Sequence, residues 1–229
     1  MRIAILWTRL SGYLNACLRA LASRPDVELY VCNQSPANNA HFPEADFSWL
    51  NNRYEWILRP DVSVLSDQLL KFRPHVILGA NWSIREYRKI NRQFRGRDVR
   101  VVCIDNQWHA TLRQVMGRCV ARVYLHHLYD AIYVTGERQA DWARCMGFKQ
   151  SQIWYGCYSC DTHQFGIIAE QRQSLPVIPE QFLYVGRLEK EKAISELFRA
   201  YQQYRQQVDR PWPMMVVGEG SWRPSGLSQ

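Results

Sequence analysis

Strand-like and helix-like hydrophobic patterns alternate from the first residues of the chain. Ile3 to Trp7 is a short apolar run that suits a buried strand. Leu14, Cys17, Leu18 and Leu21 then recur at i, i+3, i+4 and i+7, one face of a helix. Pro25-Asp26 ends that helix, and Val27 to Cys32 is the next strand. Asn33 to Trp49 is loop-like, with Pro36, Asn38-Asn39 and Pro43. Tyr54 to Leu58 predicts a third strand; Val64, Leu65, Leu69 and Phe72 predict a helix ended by Pro74; His75 to Leu78 is a strand, and Ser83 is placed to cap the helix that follows. Arg100 to Ile104, β-branched and nearly all apolar, suits a buried parallel strand. Val115, Met116, Cys119, Val120, Val123 and Tyr124 form a helical stripe, and Ala131 to Val134 is a strand. A helix after Thr135-Gly136 ends at Gly147, and Ile153 to Tyr155 closes the series.

Repeated β-α alternation with short connections predicts an α/β fold, a Rossmann-like doubly wound parallel sheet. The pattern lapses between Gly166 and Glu180, a stretch with Gln171, Gln173, Pro176 and Pro179 that reads as a linker. A new β-α-β follows: Phe182 to Val185, a helix with Ile194, Leu197, Phe198 and Tyr201 on one face, and Met214 to Val217. The expected organisation is an N-terminal domain over 1–165, a linker over 166–180 and a second Rossmann-like domain starting at 181. The final S-W-R-P-S-G-L-S-Q carries neither period, so this second domain, 181–229, is expected to be incomplete.

Composition narrows the function classes. The 229 residues carry a net charge of +8, and nothing in them reaches the roughly 18 apolar residues of a membrane span. Positive charge suits nucleic acid, an anionic membrane surface or a phosphorylated substrate. Arg85, Arg88, Lys89, Arg92, Arg95, Arg97 and Arg100 fall close together, as a solvated helix face or a docking patch. No RRM, KH, zinc-finger or helix-turn-helix signature accompanies them, which argues against nucleic acid. Seven cysteines are scattered, and the one C-x-x-C, Cys157 and Cys160, has no second pair to complete a zinc site. A reduced, cytoplasmic setting is expected, with a peripheral contact at the inner membrane face as the alternative location. A dinucleotide oxidoreductase is disfavoured, because no G-x-G-x-x-G follows a strand.

Candidate chemistry sits where parallel strands end. In the first half these loops are Thr8 to Gly12, with Ser11 and Gly12, then Gly79 to Trp82, then Asp105 to His109, with Asp105, Asn106 and His109 in D-N-Q-W-H. A neutral imidazole there could hydrogen-bond a bound ligand. In the second half Gly186-Arg187 and Gly218-Glu219-Gly220 follow strands, and Lys192 falls in the first turn of the next helix. A glycine lets backbone and ligand approach closely, an arginine offers a fork to a diphosphate, and a helix start attracts anions.

The order V-G-R-L-x-x-x-K, a helix-length gap, then V-V-G-E-G resembles the donor half of the family 4 (group 1) retaining glycosyltransferases. Upstream, D-A-I-Y-V at Asp130 to Val134, M-G-F, and G-C-Y-S-C-D-T-H-Q-F at Gly156 to Phe165 resemble the same family, with Asp161, Thr162 and Phe165 matching. Tyr155 stands where asparagine is common, Ala193 replaces the usual glycine, and of the glycine-rich first loop only Gly12 remains. The resemblance implies a GT-B fold and transfer of a sugar, with retention, from a nucleotide-diphosphate donor to a glycan, a lipid or a polysaccharide precursor. It implies that Gly186, Arg187 and Lys192 take the diphosphate without a metal or other cofactor, with Gly218, Glu219 and Gly220 as the donor-side loop. It places His109 as the cleft histidine and Ser11, Gly12, Asp105 and Asn106 on the acceptor side. The family's E-x7-E segment is missing, so a C-terminally truncated member with weak or absent transfer is expected. The alternative is a non-catalytic Rossmann-like module docking on an anionic membrane through the Arg85–Arg100 stretch.

Overall fold

The computed structural model describes residues 1–35, 47–174, 177 and 180–222. The chain divides into two compact units, Met1–Thr162 and His163–Gln229.

The first unit is built on seven strands: β1 (Arg2–Leu6), β2 (Glu28–Gln34), β3 (Arg53–Trp56), β4 (Val76–Gly79), β5 (Val99–Ile104), β6 (Ala131–Val134) and β7 (Ile153–Tyr155). They lie in the order β3-β2-β1-β4-β5-β6-β7, and every pair is parallel. Helices α1 (Gly12–Ala22), α2 (Val62–Phe72), α3 (Arg85–Gln93), α4 (Leu112–Leu128) and α5 (Glu137–Cys145) connect them. Side chains of a strand alternate between faces. Ile3 and Ile5 therefore pack with Leu14 and Leu18 of α1, while Ala4 and Leu6 pack with Leu65 and Leu69 of α2 and Tyr87 and Ile90 of α3. Burial on both faces explains why these strands are nearly continuous apolar runs. A third cluster joins β5 and β6 to Leu125 and Leu128 of α4 and Trp142 of α5. The doubly wound parallel sheet expected from the alternation is present.

Local signals set the helix ends. Ser11 accepts from the Leu14 amide at 3.3 Å and starts α1; Asp61 accepts from the Ser63 and Val64 amides at 2.8 and 3.2 Å and starts α2. Gly147 follows α5 with φ +91°, the left-handed stop that its position predicts.

Several expectations need correction. Ser83 does not cap α3: its amide donates to Asn81 Oδ1 at 2.7 Å, and the helix starts after Ile84 without a side-chain cap. The third strand ends at Trp56, because Ile57 and Leu58 turn outward with 78% and 89% exposure. Arg100 does not belong to a solvated basic face; it is buried in β5. Asn33 and Gln34 complete β2, and the rest of the expected loop includes 36–46, outside the described residues. A helix, α6 (Thr162–Gln173), occupies most of the stretch that reads as a linker. Its Phe165, Ile167 and Ile168 are all exposed and share no single face, so no helical period announces it.

The second unit pairs β8 (Phe182–Val185) in parallel with β9 (Met214–Val217), joined by α7 (Ile194–Gln207). Phe182 packs edge-on to Tyr204 at 5.1 Å and lies 5.7 Å from the Trp212 ring. None of the described helices is long and apolar enough to cross a membrane.

Candidate functional site

In the first unit the chain winds outward from β1 to β3 and then returns to place β4 on the other side of β1. Loops diverge at such a switch point and leave a crevice beyond the carboxyl ends of the strands. A cleft of about 920 Å³ opens there. Trp7 and Thr8 after β1, Ala80 to Ser83 after β4, and Asp105 and Asn106 after β5 form its floor and rim. Gly117, Val120, Ala121 and Tyr124 of α4 form one wall, with Trp142, Met146 and Tyr158 completing it.

The lining mixes aromatic faces with amides, hydroxyls, one carboxylate and the Arg113 guanidinium. That combination suits a carbohydrate, whose apolar ring faces can stack while its hydroxyls are hydrogen-bonded. Burial, and then the charge of Asp105, pushes the Tyr158 phenol up to about 12, so it stays protonated and can donate. Tyr158 holds a left-handed backbone, φ +74°, a strained conformation for a large side chain. Arg88 of α3 points inward, donating to the Trp82 and Ser83 carbonyls at 2.6 and 2.9 Å and fixing the rim. Beneath, the buried Tyr87 hydroxyl donates to the Trp7 carbonyl at 2.7 Å and accepts from the Trp56 indole at 2.9 Å. Gln114 donates to the Gln107 carbonyl and accepts from the His109 amide, both at 2.8 Å, which shapes the loop between β5 and α4.

Of the first-half candidates, the structure places Asp105 and Asn106 in the cleft. His109 is exposed on the same loop but is not among the cleft residues. Ser11 and Gly12 form the start of α1, where Ser11 serves as the helix cap. Trp82 lies in the Gly79–Trp82 loop that strand ends pick out, whereas Tyr124, Trp142 and Tyr158 are cleft residues that the sequence reading does not find. Their signal is weak, because each is an isolated aromatic from a different loop or helix.

Cys157 is buried and lies beside Cys103 of β5 rather than sharing a site with Cys160, which is exposed. The contact between the two thiols raises Cys103, which burial raises further, and lowers Cys157. All seven cysteines are free thiols. Among the described residues, no three His, Cys, Asp or Glu side chains stand close enough to hold a metal ion.

In the second unit the structure brings the remaining candidates together on one edge. The Gly186 amide donates to the Val217 carbonyl at 3.0 Å, and the Leu188 amide to the Glu219 carbonyl at 2.8 Å. The loops after β8 and β9 thus run backbone against backbone. A Cβ at Gly218 would fall inside the Gly186 carbonyl group, and one at Gly220 inside that of Leu188. Arg187 is half exposed and pairs with Glu191 at 3.0 Å. Lys192 ends a short 3-10 turn, Lys190–Lys192, and stands just before α7 rather than in its first turn. Ala193 between them is left-handed, φ +53°. An alanine there costs about 1 kcal/mol relative to glycine. Ala193→Gly is expected to stabilise the second unit by about that amount, read as a higher urea midpoint with unchanged slope; an unchanged or lower midpoint would contradict the strain.

No family model matches the chain, and no curated protein matches it in sequence. Solved structures do resemble it. UDP-GlcNAc 2-epimerase from Neisseria meningitidis, bound to UDP-GlcNAc, aligns at 13% identity with a TM-score of 0.57, over 94% of this chain and 65% of that one. Anabaena Alr3699/HepE in complex with UDP aligns at 16% identity and a TM-score of 0.60, over 96% and 61%. An α-glucosyltransferase in complex with UDP and a 13-mer DNA aligns at 11% identity and 0.55, over 96% and 56%. The fold is GT-B-like. The chain spans less than two thirds of the length of each of these structures. At such identities the likeness is one of fold alone.

Proposed function

We propose that this protein acts on a nucleotide-diphosphate sugar as a retaining glycosyltransferase of the family 4 type. The observation that carries this reading is the second-unit edge, where two glycine loops lie backbone against backbone beside Arg187 and Lys192. A diphosphate carries more charge than the exposed Glu191 carboxylate. Exposed ion pairs contribute little, so a diphosphate can take Arg187 from Glu191. Two cations at the leaving diphosphate would stabilise charge that grows as the sugar departs, the role a metal plays elsewhere. The solved structures of similar fold that hold UDP or UDP-GlcNAc support a nucleotide-sugar ligand. In this reading the first-unit cleft takes the acceptor, a glycan or a lipid-linked sugar, with Asp105 to orient its hydroxyl. His109 would reach the reacting sugar only if its loop turns inward.

The test is calorimetric titration of the 229-residue chain with UDP, GDP, ADP and dTDP, with and without Mg²⁺. One of them is expected to bind without need of the metal. A hydrogen bond to a charged group contributes about 1.5–3 kcal/mol, so Arg187→Ala and Lys192→Ala should each weaken binding by about tenfold to a hundredfold. Absence of binding by any nucleotide while the second unit is folded, or variants that bind like the parent, would refute the diphosphate assignment. Product analysis then separates transfer from isomerisation of the sugar nucleotide, and isomerisation alone would remove the transferase reading.

A further inference from the structure

Helix α4 has its apolar stripe on the wrong side for a core. Leu125 and Leu128 are buried against the sheet, yet Leu112, Met116, Val120 and Val123 are 83%, 73%, 66% and 67% exposed. They recur at i, i+4, i+8 and i+11 with the exposed Cys119 among them, so they form one continuous outward face. A face of this kind on a folded unit marks an interaction surface.

Charge indicates what covers it. The helix, Leu112–Leu128, contains Arg113, Arg118 and Arg122 and no Asp or Glu. Arg113 flanks the apolar face on its cleft side, where it also lines the cleft, and Arg122 and Arg118 flank it on the other. The Arg122 stem rests over Gly147, and His126 packs on Phe148 at 4.5 Å, which steadies the end of the helix that carries them. Adjacent α3 buries Tyr87, Ile90 and Phe94 and exposes Arg85, Lys89 and Arg92, adding positive charge but no apolar surface. An apolar strip edged by arginines and free of acids is complementary to an interface with acyl chains below and phosphates above.

We propose that the outward face of α4 seats the protein on an anionic lipid surface, with Leu112, Met116 and Val123 in the acyl boundary and the arginines at lipid phosphates. Val120 belongs both to this face and to the cleft wall. A lipid-borne acceptor could therefore reach the cleft from the leaflet; that corollary rests on the glycosyltransferase reading, whereas the docking itself does not.

Flotation of the 229-residue chain with phosphatidylcholine vesicles, with and without 30% phosphatidylglycerol, tests it without any donor. Binding is expected to the anionic vesicles only and to fall as salt rises. Met116→Glu/Val123→Glu should reduce it at least tenfold with an unchanged thermal melt, since both side chains are exposed. Arg118→Gln/Arg122→Gln should reduce it about 25-fold, each arginine near the surface contributing about fivefold. Arg85→Gln/Lys89→Gln/Arg92→Gln on α3 should cost less than the α4 apolar pair. The proposal is overturned if anionic vesicles do not bind, if the Met116/Val123 variant floats like the parent, or if light scattering shows a dimer that this variant dissociates without vesicles present. A larger loss from the α3 variant than from either α4 variant would place the contact on α3 and overturn it as well.

Discussion

Gly218→Ala should unfold the second unit while leaving the first intact. The new Cβ would fall 2.9 Å from the Gly186 carbonyl carbon and closer still to its oxygen, and Gly218 holds φ +152°, where side chains are strained. The opposing atoms are backbone, so no side chain can swing away. Either the loop after β9 lifts off the loop after β8, losing the Gly186 and Leu188 amide hydrogen bonds, or β9 shifts in register. Steric conflict against backbone, with loss of the inter-loop hydrogen bonds, costs about 3 kcal/mol or more, and a two-stranded sheet has little stability to spare. Trp212 and Trp222 lie in the second unit, so a fluorescence change with rapid proteolysis after residue 162, and a resistant first unit, is the expected record. Gly220→Ala should behave alike, because its Cβ meets the Leu188 carbonyl. Gly166→Ala in α6, with nothing within 4 Å, should be neutral or stabilising by about 0.5–1 kcal/mol. If Gly218→Ala melts and resists protease like the parent, the close approach of the two loops is wrong.

Those glycines show which parts of the molecule the sequence made legible. Gly218 and Gly220 follow a strand, and the sequence marks them as a loop where backbone and a ligand come close; that the backbone they approach is the Gly186–Leu188 loop is a pairing in space that no spacing along the chain records. The sheet of the first unit was readable for a related reason: strands buried on both faces leave long apolar runs, and turns between them leave Pro, Gly and Asp. The α4 stripe misleads the same rule. Period alone locates the helix but cannot tell an apolar face turned to the core from one turned outward, and here Leu125 and Leu128 do the packing. The cleft was legible only in its floor. Trp82, Asp105 and Asn106 follow strands, whereas Tyr124, Trp142 and Tyr158 converge from separate elements, and convergence in space has no signature along a chain. Ser11 and Ser83 mark the local limit. Both precede helices as capping residues should, and only Ser11 caps, because Asn81 captures Ser83.

Asp130 belongs to the resemblance that suggests the family, but its work in this structure is to neutralise Arg100. The Arg100 side chain is 3% exposed, and its Nε and Nη2 donate to the two Asp130 carboxylate oxygens at 3.0 and 2.7 Å. Its Nη1 donates to the Asn91 carbonyl in α3 and the His127 carbonyl in α4, at 3.2 and 2.9 Å. One cation therefore ties β5 to the ends of two helices, where carbonyl dipoles favour it. Burial pushes the Asp130 carboxyl up, but the hydrogen bonds and charge of Arg100 outweigh burial and hold it below the usual carboxylate range. Removing one partner of a buried pair costs about 3–5 kcal/mol, and the 46% exposure of the Asp130 side chain brings Asp130→Ala toward about 2–3 kcal/mol for the first unit. Arg100→Met should cost less, because it leaves no buried charge unpaired and Asp130 can turn to water. A carboxyl with a depressed folded value stabilises above the unfolded value of about 3.9 and loses that contribution as pH falls through its folded value. Urea midpoints measured from pH 7 down to pH 2.5 should therefore fall more steeply below about pH 4 for the parent than for Asp130→Asn. Parallel profiles, or an Asp130→Ala cost below about 0.5 kcal/mol, would show that Arg100 is held by the two helix carbonyls alone.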